Sequence, residues 1–180
     1  MKTPSLRSLI REKLRAAFLC FAILFGLSAG TANGAILTFA VGATNGVTNS
    51  QVVVPIRVSQ FTNISSFQFS FHWDTNVASF VDVEQFGLQG MAVTDFGVFP
   101  TGTVTVAWFE PNASTTNLAD GATIFGIRLM LTGRPAATGL VTIDSTPTAL
   151  LAGDENLSSV PVTSVNSILS IDRTLIVVGS

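Results

Sequence analysis

The chain is 180 residues long, 47% apolar and only 11% charged, where an ordinary soluble protein is about 25% charged. Its length suits roughly one domain, and its apolar content excludes a highly charged, disordered chain. Nine Lys and Arg against eleven Asp and Glu give a net charge of −2. Lys2, Arg7, Arg11, Lys13 and Arg15 all precede residue 16, which leaves the remainder Arg57, Arg128, Arg134 and Arg173 against ten acids. So sparse a set of cations argues against a nucleic-acid partner, because duplex affinity comes from clustered cations that displace counterions.

The basic start leads into an apolar run of 14 residues, Ala16 to Ala29, too short for a spanning helix, which needs about 20. Ala32 and Gly34 then stand at the −3 and −1 positions for signal-peptidase cleavage before Ala35. The expectation is a secretory signal peptide over residues 1–34, a single domain over 35–180, and no membrane span after cleavage. The rival readings are a buried N-terminal helix and an uncleaved anchor. The only cysteine, Cys20, lies inside the apolar run and lacks the small residues that precede a lipidated one. The mature chain therefore has no thiol for a disulfide, and a conventional core must hold it.

From Ala35 onward the chain is rich in Val, Ile, Thr and Phe, which suit a pleated, half-buried surface. A first strand is expected over 36–42. Val52, Val54, Ile56 and Val58 then alternate with Pro55 and Arg57, and Pro55 places that strand at an edge or beside a bulge. Phe67, Phe69, Phe71 and Trp73 repeat every second residue and so share one face of a strand, with Ser66, Gln68, Ser70 and His72 on the other. Strands follow at 77–84 and 91–96, with one short helical turn as the best reading of Val83 to Gly90. Val104, Val106 and Trp108 alternate with Thr103, Thr105 and Ala107, and Phe125, Ile127, Leu129 and Leu131 form another stripe. The last strands fall at 139–150 and 165–177. With no segments available for crossover helices, this reads as an all-β, antiparallel two-sheet β-sandwich of about nine strands, whose aromatic stripe is buried between the sheets.

Catalytic chemistry is hard to find. Nucleophilic catalysis needs a Ser, Cys or Thr beside a base, yet the mature chain has no cysteine, one histidine, His72, and no Gly-x-Ser-x-Gly turn. One His cannot build a zinc site, and Gly87-Leu88-Gln89-Gly90 is a turn rather than a phosphate loop. Among the carboxylates, Asp82 and Glu84 share a strand face, which reads as solvated surface rather than a glycosidase pair. Asp154-Glu155-Asn156 lacks the ligand spacing of a calcium loop. Asn63, Asn112 and Asn156 head Asn-x-Ser sequons, which matter only in a host that glycosylates its exports. No enzyme, cofactor or metal is expected. A binding module acting through one sheet face or its loops is favoured instead.

Four segments in order resemble the cohesin family. Ser66-Phe67-Gln68-Phe69-Ser70-Phe71-His72-Trp73-Asp74-Thr75-Asn76-Val77 is similar to its alternating aromatic strand ending in aromatic-Asp-Pro-x-Val, with Thr75 in place of the proline. Gly102-Thr103-Val104-Thr105-Val106-Ala107-Trp108-Phe109 with Glu110 resembles the family's central strand, and Leu118-Ala119-Asp120-Gly121-Ala122-Thr123-Ile124-Phe125 its Asp-Gly turn and following strand. Val52-Val53-Val54-Pro55-Ile56 is similar to its Val-x-Val-Pro-Val opening. The resemblance implies a nine-stranded jelly roll that binds a dockerin-containing protein through one sheet face, in extracellular or cell-surface polysaccharide-degrading assemblies. It places Ser66, Gln68, Ser70 and Ala107 on that face, Glu110 as an acidic contact, and Leu151, Gly153, Asp154 and Leu157 in a late loop touching the partner. Ser66 and Gln68 stand where many family members carry Asn and Asp.

Two other functions remain open at this point. Carbohydrate-binding modules share the sandwich and would make polysaccharide the partner, but Trp73 and Trp108 both fall on stripes assigned to the core, where neither can stack on a sugar. A structural surface or matrix module would assemble through its edge strands.

Overall fold

The computed structural model describes residues 36–173 apart from Ala113 and Leu157. The expected leader and residues 174–177 of the last expected strand lie outside the described residues. In chain order the strands are β1 (Leu37–Val41), β2 (Thr44–Gly46), β3 (Gln51–Ser59), β4 (Ile64–Trp73), β5 (Ala78–Glu84), β6 (Phe96–Phe99), β7 (Thr103–Phe109), β8 (Thr123–Leu131), β9 (Thr138–Asp144), β10 (Leu151–Asp154), β11 (Ser159–Val160), β12 (Val162–Val165) and β13 (Ser167–Ile171). One sheet has the order β12-β1-β3-β8-β5; the other runs β11-β10-β4-β9-β13-β2, with β7 also paired to β4 and β6 to β7. The fold is the expected all-β jelly-roll sandwich.

Three long expectations are refined. The stretch 139–150 is a strand only as far as Asp144, the end of β9; β4, paired by β9 at Ser70 to Trp73, is next paired at Ile64 to Gln68 by β10, so Leu151, Gly153 and Asp154, expected in a loop, stand in a strand instead. The chain after Ser158 changes sheets twice: β11 pairs β10, β12 pairs β1 in the opposite sheet, and β13 returns to pair β9. Pairing is also not wholly antiparallel, since β1 with β12 and β2 with β13 run parallel.

Two local expectations are corrected. Residues 91–96 are not a strand. Val93–Asp95 forms a 3-10 turn, closed by the Asp95 carboxylate accepting the Ala92 N–H at 2.9 Å, and β6 begins only at Phe96. The helical turn expected between Val83 and Gly90 is absent, because β5 extends to Glu84 and irregular backbone follows. The bulge expected at Pro55 is found, and the edge is not: β3 is interior, between β1 and β8, with its register shifting at Ile56/Arg57. The β1 ladder ends at Val41 opposite Ile56, and Gly42 donates its N–H to Pro55 O at 2.8 Å. A residue's N–H and C=O point to the same side of a strand, so the N–H that proline lacks faces the place where the ladder has already ended.

The aromatic stripe lies between the sheets as expected. Phe67, Phe69, Phe71 and Trp73 are all buried, and so are Val104, Val106, Trp108, Phe125, Ile127, Leu129 and Leu131. Phe39 of β1 bridges the layers, its ring centroid 5.1 Å from that of Phe67 and 5.0 Å from that of Phe69. Each such aromatic pair adds about 0.5–1.5 kcal/mol beyond area burial. Both indoles are satisfied inside, Trp73 Nε1–H donating to Ala78 O and Trp108 Nε1–H to Gln89 O, each at 3.0 Å.

Candidate functional site: the outer face of β4, β7 and β10

Because Phe67, Phe69, Phe71 and Trp73 of β4 are committed to the core, Ser66, Gln68, Ser70 and His72 line its outward face. Cross-strand partners share a face, so register defines a plate of rows. Gln68 lies between Ala107 on β7 and Leu151 on β10, and Ser66 between Phe109 and Gly153. Ser70 lies between Thr105 and Asp144 of β9, and His72 between Thr103 and Thr142. The plate continues onto β6 through Gly97, opposite Thr105, and Phe99, opposite Thr103.

The structure brings the sequence-predicted residues of β4, β7 and β10 together, but it changes what several of them offer. Gln68, Ala107 and Leu151 are half-buried and form its accessible centre. Ser66 and Ser70 are on the expected face yet only 2% and 0% exposed, which corrects the expectation that their hydroxyls look out to solvent. Ser70 Oγ is occupied by the backbone of Thr148, which crosses the face where β9 leaves β4 and β10 arrives. Ser66 Oγ is buried without a hydrogen-bond partner. Gly153 comes so close that a Cβ added there would lie 2.9 Å from this oxygen.

Glu110 directs its carboxylate back to its own chain. Its Oε2 accepts the N–H groups of Asn112 at 2.8 Å and Ser114 at 2.9 Å, while Oε1 accepts Asn112 Nδ2 at 3.3 Å. The Ser114 N–H is the strongest influence holding this carboxyl below its ordinary value; partial burial opposes it, and the Asn112 N–H assists. The Asp154 carboxylate also bonds its own loop, its Oδ1 accepting the N–H groups of Asn156 and Ser158, both at 2.9 Å. Between Gly153 and Asp154 the ladder shifts register, so Asp154 leaves the alternation of the plate. Leu157 lies outside the described residues. His72 is half-buried and tied on every side: Nδ1 is 3.0 Å from Thr103 Oγ1, and Nε2 is 3.1 Å from Asp144 Oδ1 and 2.8 Å from Thr146 O.

Phe109 and Phe99 are plate residues that the site expectation omits, and they are 56% and 45% exposed. The sequence does hold a signal for Phe109, because it falls out of phase with Val104, Val106 and Trp108 and so must point outward. Trp73 and Trp108, by contrast, are buried, as their stripes require, so neither provides a stacking surface for a sugar ring.

The two sheets place the chain in the class of jelly-roll β-sandwich modules. Residues 37–169 match the cohesin domain family, and the chain belongs to that family. Among solved structures it is similar to the sixth cohesin of scaffoldin B from Acetivibrio cellulolyticus, in complex with a mutant Cel5 dockerin, at 17% identity and a TM-score of 0.66, over 77% of this chain and 100% of that one. It is similar to the seventh ScaB type I cohesin of Pseudobacteroides cellulosolvens at 13% identity and a TM-score of 0.67, over 81% and 97% of the two chains. A non-cellulosomal cohesin from the archaeon Archaeoglobus fulgidus shares 20% identity at a TM-score of 0.63, over 76% of this chain and 91% of that one. No curated protein matches the chain.

Proposed function

We propose that the protein is a secreted, non-catalytic adaptor whose outer β4–β7–β10 face binds a dockerin module of a second protein. The observation that carries this reading is the plate itself: a sheet face centred on Gln68, with Ala107, Leu151 and Phe109 around it, in a chain of the cohesin family. Structures similar to this chain include cohesins in complex with dockerins, which supports the same class of partner. Gln68, Ala107 and Leu151 would make direct contact. Ser66, Ser70, Gly153, Glu110 and Asp154 would shape the backbone beneath and beside them, and Leu157 would extend the late loop.

Pull-down and calorimetry with a panel of calcium-loaded dockerin modules, including those from the same genome, test the reading. Binding of at least one at about micromolar Kd, equivalent to ~8 kcal/mol, is expected; binding of none at that concentration overturns it. Retention on cellulose, xylan or chitin columns without any dockerin binding would move the function to polysaccharide recognition.

Export follows from residues 1–34, whose basic start, short apolar core and small residues before Ala35 are those of a leader. The domain over 35–180 would then work outside the cell or on its surface. N-terminal sequencing of exported protein should begin at Ala35.

A further inference from the structure

Among the described strands β6 pairs with β7 alone, so its far side is an edge of its sheet. Register assigns the inner face to Phe96 and Val98, opposite Val106 and Val104, and the outer face to Gly97 and Phe99. Val98 faces inward and is still 48% exposed; Phe99 is 45% exposed, and Val93 in the preceding turn is exposed too. The other edges are shielded, short or polar. β5 is bulged between Phe80 and Asp82 and carries Asp82 and Glu84. β2 and β11 have three and two residues, and Thr163 and Ser164 stand between the valines of β12. Bulges and charges are how natural edges avoid pairing with another chain, and β6 has neither.

The neighbours of β6 decide which of its backbone groups are open. Trp73 donates its N–H to Gly102 O at 3.1 Å, so even-numbered residues of β7 turn their polar groups to β4 and odd-numbered ones to β6. Gly97 and Phe99, opposite Thr105 and Thr103, therefore bond toward β7, while Phe96 and Val98 turn their polar groups to the free edge. The Phe96 N–H is already given to Val93 O in the 3-10 turn, and Pro100 has no N–H. Among the described residues of this edge, Val98 alone offers both an N–H and a C=O.

We propose that this edge takes the β6 strand of a second copy of the chain, antiparallel, with a two-fold axis at Val98. Complementarity of charge carries the choice of occupant: the N–H and C=O of one Val98 meet the C=O and N–H of the other. Beyond residues 97 and 99 the strands part, and the Phe96 and Pro100 carbonyls stay with water. Phe99 comes opposite Gly97 of the second copy, where no side chain blocks its ring, and the two Val98 side chains meet on the inner face. The same register brings Asp95 toward Thr101 of the second copy, so like charges do not meet. The proposal does not rest on the dockerin reading.

Analytical ultracentrifugation of residues 35–180, from about 5 µM to about 1 mM, tests it. The expected result is a monomer–dimer equilibrium with a Kd between about 10 µM and about 1 mM, as suits a contact burying less than ~1,200 Å². Val98→Lys, which sets two cations face to face, should raise that Kd at least about tenfold and melt with the parent at low concentration. Residues 35–180 contain no cysteine, so Val98→Cys introduces a single thiol. Opposite its own copy, the ~5.5 Å Cα separation of a hydrogen-bonded pair lies inside the ~4.4–6.8 Å window of a disulfide. It should therefore oxidise to a covalent dimer at least about tenfold faster than Leu140→Cys, an exposed position on β9. A monomer throughout the range overturns the proposal, whatever other strand the edge binds. So does a dimer that Val98→Lys leaves intact and whose Val98→Cys form oxidises no faster than Leu140→Cys. Where the two variants disagree, or Val98→Lys does not fold, the oxidation rates decide.

Discussion

Ser70 Oγ is held on both sides by one residue, accepting the Thr148 N–H at 2.8 Å and donating to the Thr148 C=O at 3.1 Å. The two bonds stand in for ladder bonds where β4 has lost β9 and not yet gained β10. Ser70→Ala orphans a half-buried N–H and C=O pair, at a cost of about 1–3 kcal/mol. The expected outcome in urea denaturation is a lower midpoint at unchanged slope, with faster hydrogen exchange confined to the 145–150 segment. Uniformly faster exchange would indicate a wider role.

Glu110 predicts how stability varies with pH. Its folded pKa lies below the ordinary value of 4.5, chiefly through the Ser114 N–H. The stability it contributes is therefore complete above about pH 4.5 and is lost as the pH falls through the lowered folded value. Glu110→Gln removes that dependence. The variant should be less stable than the parent at neutral pH, and the difference should shrink on acidification below 4.5. A gap that stays constant with pH would assign the effect to packing.

Phe69 and Phe99 separate core from plate. Phe69 is fully buried beside Phe39 and Phe125, whereas Phe99 is largely outside. Phe69→Ala should cost about 3–5 kcal/mol, a large share of a small domain's stability of about 5–15 kcal/mol. Phe99→Ala should change stability by no more than about 0.5 kcal/mol. Thermal unfolding followed by circular dichroism reads both, and equal losses would place Phe99 in the core as well.

Most of the fold was legible because burial on one side of a strand writes itself into the sequence as period-two alternation, as in Phe67 to Trp73. What alternation cannot report is which neighbours a strand acquires. The hydroxyls of Ser66 and Ser70 are on the predicted face, but they are buried there because Gly153 and Thr148 come from chain more than 70 residues away. The same blindness carried the expected strand on to residue 150, because β9 ends at Asp144 where β4 changes partners. In residues 91–96 the apolar Met91 and Val93 resemble strand residues, while the Asp95 carboxylate closes a turn on Ala92. The turning of Glu110 onto its own loop depends on acceptors and donors only two and four residues apart, and could have been read locally from Glu110-Pro111-Asn112-Ala113-Ser114.

Ser66 and Gly153 form the most economical test of the plate's construction. Ser66 Oγ is buried without a partner, so it retains the desolvation cost of a hydroxyl and gains no bond in return. Ser66→Ala should therefore be neutral or stabilising, by up to about 1 kcal/mol. Gly153→Ala places a Cβ 2.9 Å from that oxygen and should destabilise by about 1–3 kcal/mol through overpacking. The two changes must couple: in the Ser66→Ala background the clashing atom is gone, and Gly153→Ala should cost markedly less. A double-mutant cycle in urea measures the difference. Additive effects would show that Gly153 is required by its backbone rather than by close approach to Ser66. Coupling would show that β10 lies so near β4 because these two residues are small together.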